Sequence, residues 1–143
     1  MPPYVNLVGD GSDKTVIEQT GAHAVIETIN GNGINAQTSS TNQSNIIKLE
    51  GMTLKSYLTN PALKLSSTKD SQFIDIKLQG PWTQGSAITS TQIGLLMEAT
   101  STPVTTQNNN FEKLKVVGFS YGILSNHDVT NNHFEDWISK ITF

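Results

Sequence analysis

The sequence predicts an all-β chain wound as a parallel β-helix, a solenoid of about four coils with variable loops. Two interleaved repeats carry the prediction, and the near absence of helical patterning supports it. The first repeat reads aliphatic, any, aliphatic, any, glycine. It occurs as Val5-Asn6-Leu7-Val8-Gly9, Ile47-Lys48-Leu49-Glu50-Gly51, Ile76-Lys77-Leu78-Gln79-Gly80 and Leu114-Lys115-Val116-Val117-Gly118. Period-two alternation is the pattern of a strand with one buried face, and the closing glycine marks a bend. The second repeat places a small residue before an apolar pair: Ala62-Leu63-Lys64-Leu65, Gly94-Leu95-Leu96-Met97 and Gly122-Ile123-Leu124, with Ala24-Val25-Ile26-Glu27 as a degraded copy. Units that recur along a chain bury their apolar faces against one another, which is the logic of a solenoid.

Taken in order, each coil is one strand of the first type, a bend, a strand of the second type and a polar loop. Alignment on the glycines stacks Ile47, Ile76 and Leu114 inward, and Leu49, Leu78 and Val116 beside them. Lys48, Lys77 and Lys115 then form an outward column, with Asp75 and Lys113 paired alongside. Like charges on neighbouring strands repel, so the column is read either as solvated side chains or as a seat for an anionic ligand or a neighbouring subunit's carboxylates. Three segments read as surface loops from their turn-forming composition: Asn30 to Ser44, Gly80 to Thr91, and Ala99 to Asn110 with its three consecutive asparagines. The stretch from Phe134 to Lys140 reads as the start of another coil, with Asn131 and Asn132 at the turn and Trp137 inward.

Composition narrows the function. The net charge is −3, charged residues make up 15%, and all nine basic residues are lysines. Without arginine there is no planar fork for bidentate phosphate recognition, so nucleic-acid and nucleotide chemistry are not expected. The chain has no cysteine, which excludes disulfides and thiolate metal sites. No apolar run is long enough to span a bilayer, and Met1-Pro2-Pro3 lacks the basic start and apolar run of a signal peptide.

The opening Pro3-Tyr4-Val5-Asn6-Leu7-Val8-Gly9-Asp10-Gly11-Ser12-Asp13-Lys14-Thr15-Val16-Ile17 resembles the first coil of pectin-lyase-like right-handed β-helices. Leu49 to Leu54, and Asn110 to Leu114 through Gly118-Phe119-Ser120-Tyr121-Gly122-Ile123, resemble coils of bacteriophage tail-fibre and tailspike proteins. The resemblance implies a right-handed parallel β-helix over residues 3–143 as a single domain. It also implies a virion appendage that contacts other virion proteins and its own copies as a homotrimer, with bacterial surface glycan as a further partner. The same coils occur in secreted polysaccharide lyases and glycoside hydrolases, which keeps a polysaccharide-degrading enzyme as the competing reading.

Glycoside hydrolysis needs two carboxyl groups flanking the scissile bond. Among Asp70, Asp75, Glu98, Glu112, Asp128, Glu135 and Asp136, the alignment brings Asp75 and Glu112 nearest, one position apart. Surface charge is the plainer reading of these carboxylates, and none forms a calcium-type acidic motif. His127 and His133 flank Asp128, but the intervening asparagines interrupt any shared strand, so no metal site is expected; no cofactor is expected either. Gly9-Asp10-Gly11 reads as a turn. Trp82, Tyr57 and Tyr121, with Phe119, are candidate surfaces for glycan stacking or subunit contact. The last apolar residues, Ile138, Ile141 and Phe143, carry no polar cap, so the chain reads as a segment of a longer protein or as one covered by another subunit.

Overall fold

The structure, a computed structural model, describes residues 5–28, 47–57, 59–83, 92–98, 105–126 and 129–140. The described chain is all-β and contains no helix. It comprises β1 (Asn6–Val8), β2 (Val16–Gln19), β3 (Ile26–Glu27), β4 (Lys48–Ser56), β5 (Leu63–Ser66), β6 (Gln72–Gln79), β7 (Ile93–Glu98), β8 (Thr106–Gln107), β9 (Asn110–Glu112), β10 (Lys115–Val117), β11 (Tyr121–Asn126), β12 (Val129–Thr130), β13 (His133–Glu135) and β14 (Ile138–Lys140).

The strands form three parallel sheets. The largest runs β1-β4-β6-β10-β14, with β2 beside β4 and with β9 and β13 continuing the first half of β6; a second runs β11-β7-β5-β3, and a third pairs β12 with β8. The chain visits the large sheet, then the second, and returns in parallel each time. The six residues expected inward, Ile47, Leu49, Ile76, Leu78, Leu114 and Val116, are all buried. Leu63 and Leu65 on β5 join the same core from the second sheet, as do Leu95 and Met97 on β7. Each aliphatic side chain so buried contributes roughly 1.5–3 kcal/mol.

The register differs from the glycine alignment. Leu7 lies opposite Leu49, and Lys77 opposite Lys115, as expected. Between β4 and β6, however, Leu49 meets Phe73, Met52 meets Ile76 and Leu54 meets Leu78. Gly51 is therefore level with Asp75, and Ser56 rather than Gly51 is level with Gly80. The four copies of the first repeat belong to two arms of one bent strand: Val5–Gly9 and Ile47–Gly51 precede the bend, whereas Ile76–Gly80 and Leu114–Gly118 follow it. The second repeat holds for Leu63, Leu95 and Ile123, which form one column, but Ile26 joins it, so Val25 and not Ala24 aligns with Ala62.

The bend itself is a column. Gly51, Asp75, Lys113 and Asp136 share one level-to-level position and all have positive φ, 65°, 50°, 55° and 51°. At Gly51 the requirement is also steric, because a Cβ would lie 2.7 Å from the Gly9 carbonyl and 2.9 Å from the Gly11 nitrogen. Further round, Asp70, Asn108 and Asn131 form a second left-handed column at 52°, 56° and 53°. Asn and Asp tolerate this conformation better than most residues.

Two internal stacks run through the levels. Phe73, Phe111 and Phe134 stack face to face with centroids 4.6 Å apart at each step, and Trp137 meets Phe134 edge-on at 6.5 Å. At the corner before them the stack is polar. Asn109, fully buried, donates to Thr68 O and Asn132 Oδ1 and accepts from Ser71 N; Asn132 Nδ2 in turn donates to Thr106 O. Thr28, Ser66, Thr68 and Thr106 extend the network through hydroxyl contacts of 2.6–3.4 Å. Asn109 thus corrects the reading of the asparagine run as surface: its amide replaces the backbone partners that a turn leaves unpaired. The other segments read as loops, residues 30–44, 84–91 and 99–104, lie outside the described residues.

Candidate functional site

With the core filled by side chains, the chemistry-bearing residues lie on the outer faces. The large sheet bends outward-facing positions into two arms. After the bend, one column is Val16, Thr53, Lys77, Lys115 and Ile138; the next is Glu18, Lys55, Gln79 and Val117. Lys77 and Lys115 are direct neighbours on adjacent parallel strands, roughly 4.8 Å apart along the sheet. Neither forms an ion pair with a described residue. Lys48 does not belong to this column: it lies before the bend, opposite Gln72, and its ammonium is 2.6 Å from Glu50. The three-lysine column is therefore a pair, because Lys48 and Lys77 belong to different arms.

Beside the pair, Lys55 contacts Glu18 at 3.0 Å and sits 4.7 Å from the centre of the exposed Tyr57 ring. Tyr57 and then Glu18 hold the Lys55 ammonium above its ordinary pKa, and Lys55 holds the Glu18 carboxyl below its own. Tyr121 is exposed at the start of β11. Trp82 is half-buried rather than exposed, its backbone N–H donating to Gly118 O at 3.2 Å. On the second sheet Lys64 bridges Glu27 and Glu98, at 2.9 and 3.0 Å, and Glu98 also accepts from Ser66 Oγ. Burial alone would lower the Lys64 pKa, but the hydrogen bonds that its ammonium donates to Glu27 and Glu98 outweigh it and raise it.

The two carboxylates proposed as an acid pair are not assembled as one. Glu112 is level with Ile74, one position from Asp75, as expected. Asp75, however, accepts from Ser12 N at 3.0 Å and Ser12 Oγ at 2.8 Å, so both its oxygens anchor the Gly9–Thr15 excursion. That excursion crosses the Gly51 level, and Thr53 Oγ1 donates to Ser12 O on the way. The expected Asp75–Lys113 pairing gives way to this anchor, and Lys113 instead approaches Glu112 at 3.8 Å. The carboxylate that does neighbour Glu112 is Glu135, directly opposite on β13. The sequence alignment missed this pair because it read Phe134 to Lys140 only as the start of another coil and set no register for it.

His133 is exposed on β13, while His127 and Asp128 lie outside the described residues. Among the described residues no three His, Asp or Glu side chains converge to hold a metal ion. Comparison with known protein families, with curated proteins and with solved structures finds no match to this chain.

Proposed function

We propose that this chain is a right-handed parallel β-helix acting as a non-enzymatic structural and receptor-contact segment of a phage tail fibre, spike or other virion appendage. The observation that carries the structural role is the disposition of the carboxylates. Asp75 is committed to Ser12, Glu50 to Lys48, Glu18 to Lys55, and Glu98 to Lys64 and Ser66. The ties of Asp75, Glu18 and Glu98 run from one level to another, so these carboxylates serve the stack rather than a cleft. The virion setting rests on the resemblance of residues 3–17, 49–54 and 110–123 to tail-fibre and tailspike coils.

In this reading Lys77, Lys115, Tyr57 and Tyr121 are contact residues. Two adjacent ammonium groups suit the carboxylates of a neighbouring subunit or an anionic bacterial surface glycan, and tyrosine faces suit sugar rings. A homotrimer in the parent particle brings partner chains to this outer surface; sedimentation of the full-length parent as a monomer would refute it.

The neighbouring Glu112 and Glu135 favour the competing reading, a polysaccharide lyase or glycoside hydrolase. Incubation with capsule and O-antigen preparations separates the two. The structural reading expects retention of intact glycan on immobilised protein, weakened in Lys77→Ala/Lys115→Ala, and no new reducing or unsaturated ends. Cleavage that disappears in Glu112→Gln or Asp75→Asn would establish the enzyme instead.

A further inference from the structure

The large sheet carries charges of opposite sign on either side of its bend. Before the bend, one outward column is Val8, Glu50, Ile74, Glu112 and Glu135. After it, the nearest outward column is Val16, Thr53, Lys77, Lys115 and Ile138. Glu112 and Glu135 are direct neighbours on adjacent strands, and so are Lys77 and Lys115, each pair roughly 4.8 Å apart along the sheet. Glu135 and Lys115 are exposed, Glu112 and Lys77 half-buried. Like charges side by side on a sheet repel, so each pair carries a cost in the single chain.

Within the chain that cost is barely relieved. Among the described residues Lys77, Lys115 and Glu135 form no ion pair, and Glu112 has only the exposed Lys113 at 3.8 Å. The bend residues Asp75, Lys113 and Asp136 separate the two columns, so acids and bases belong to different arms. The other outward carboxylate of the first column, Glu50, is already paired with Lys48. An anionic glycan would neutralise the lysines and leave the glutamates as they are. A second copy of this chain neutralises both, because the two pairs match in number, in spacing and in opposite sign.

We propose that copies of this chain lie side by side and parallel, with Lys77 and Lys115 of one copy paired to Glu112 and Glu135 of the next. The inference rests on the homotrimer reading above and names the contact that holds it. With levels matched, Lys115 of one copy faces Glu112 of the next. Lys77 and Glu135 lie one level to either side, a displacement that the flexible lysine stem spans. Ile74 then meets the methylene stem of Lys77. At earlier levels the Gly9–Thr15 excursion covers the bend, where Thr53 is buried and donates to Ser12 O. The contact is therefore confined to the last three levels, β6, β9 with β10, and β13 with β14. Different patches of the two copies meet, so the contact is heterologous, and without a shift along the stack it generates a ring.

Charge reversal tests the pairing. Lys77→Glu/Lys115→Glu makes both arms acidic, and Glu112→Lys/Glu135→Lys makes both basic. All four positions face outward, so far-ultraviolet circular dichroism should be unchanged. Sedimentation velocity at low ionic strength is expected to show a concentration-dependent oligomer for the unaltered chain, weakened by added salt. Each reversed variant alone should associate about tenfold more weakly or not at all. The two variants mixed should associate with one another, and a chain carrying all four reversals should recover association with itself. Glu112→Lys/Glu135→Lys should lose association yet keep glycan retention, so failure of this contact and failure of the receptor reading appear in different assays. A monomeric unaltered chain, or folded variants that show no rescue on mixing, would overturn the proposal. An oligomer indifferent to every reversal would overturn this contact and leave the homotrimer reading standing.

Discussion

The aromatic column and the polar corner are adjacent, equally buried, and built on opposite principles. Phe73, Phe111 and Phe134 stack ring on ring at 4.6 Å, an attraction without strict directional demands. Asn109, Ser71, Asn132 and Thr68, a few residues upstream, hold the same levels together through directed hydrogen bonds. The apolar column sets how much the stack is stabilised. The polar corner sets which level-to-level register is allowed, since a slip of one residue would orphan several buried donors and acceptors at once.

The largest expected effect comes from the middle of the aromatic column. Phe111→Ala removes a fully buried ring with neighbours on both faces and should cost about 3–5 kcal/mol in denaturant unfolding. Phe134→Ala, half-buried with one stacked neighbour, should cost clearly less; equal losses would show that the column does not act level by level. At the corner, Asn109→Ala removes the side-chain acceptor of the Ser71 amide and one of the two donors to the Thr68 carbonyl, which keeps Gln107 N, and should cost about 1–3 kcal/mol. The sharper variant is Asn109→Leu, similar in volume and apolar. If it is tolerated as well as Phe111→Leu, the corner does not specify register.

Smaller effects test the outer surface. Asp75→Asn keeps a residue suited to positive φ and removes the charge that accepts from Ser12, so global stability should fall by about 1 kcal/mol or less. Amide exchange should quicken at Ser12, and unchanged exchange there would deny the tether. The smallest concerns Lys64, whose folded pKa is raised above its ordinary value of 10.5 by Glu27 and Glu98. A group raised on folding contributes stability below its unfolded pKa and loses it as pH rises through the folded value. The stability gap between the unaltered chain and Lys64→Met should therefore be constant near neutrality and narrow in alkaline solution above that value.

The alternation of Ile76-Lys77-Leu78 and its counterparts was enough to place Ile47, Leu49, Ile76, Leu78, Leu114 and Val116 inward, because period two fixes the face whatever the neighbouring strand; Trp137, outside that pattern, was expected inward and is half exposed. It could not place the levels relative to one another. Gly51 and Gly80 close identical motifs, yet one sits at the bend and the other beyond it, where a Cβ would collide with the Gly118 carbonyl. Nothing local distinguishes them, since the difference is set by the strand next door. The same limit made Lys48 look like a third member of the Lys77–Lys115 pair. The asparagines were misread for a different reason: Asn109 has a loop residue's composition, and its burial depends on Thr68 and Asn132, more than twenty residues away on either side.

One consequence follows from how the first level makes its bend. Between paired positions Val8 and Val16 the chain spends residues 9–15, where the next level uses only Gly51 and Met52 between Glu50 and Thr53. Pairing resumes beyond the excursion without a shift, so length at this corner is independent of the ladder on either side. A guest peptide introduced at the corresponding corner beside Lys113 should then be displayed as a surface loop while both flanking strands keep their partners. The corner is a ready graft point, and a row of such grafts would be spaced by the strand separation, roughly 4.8 Å per level.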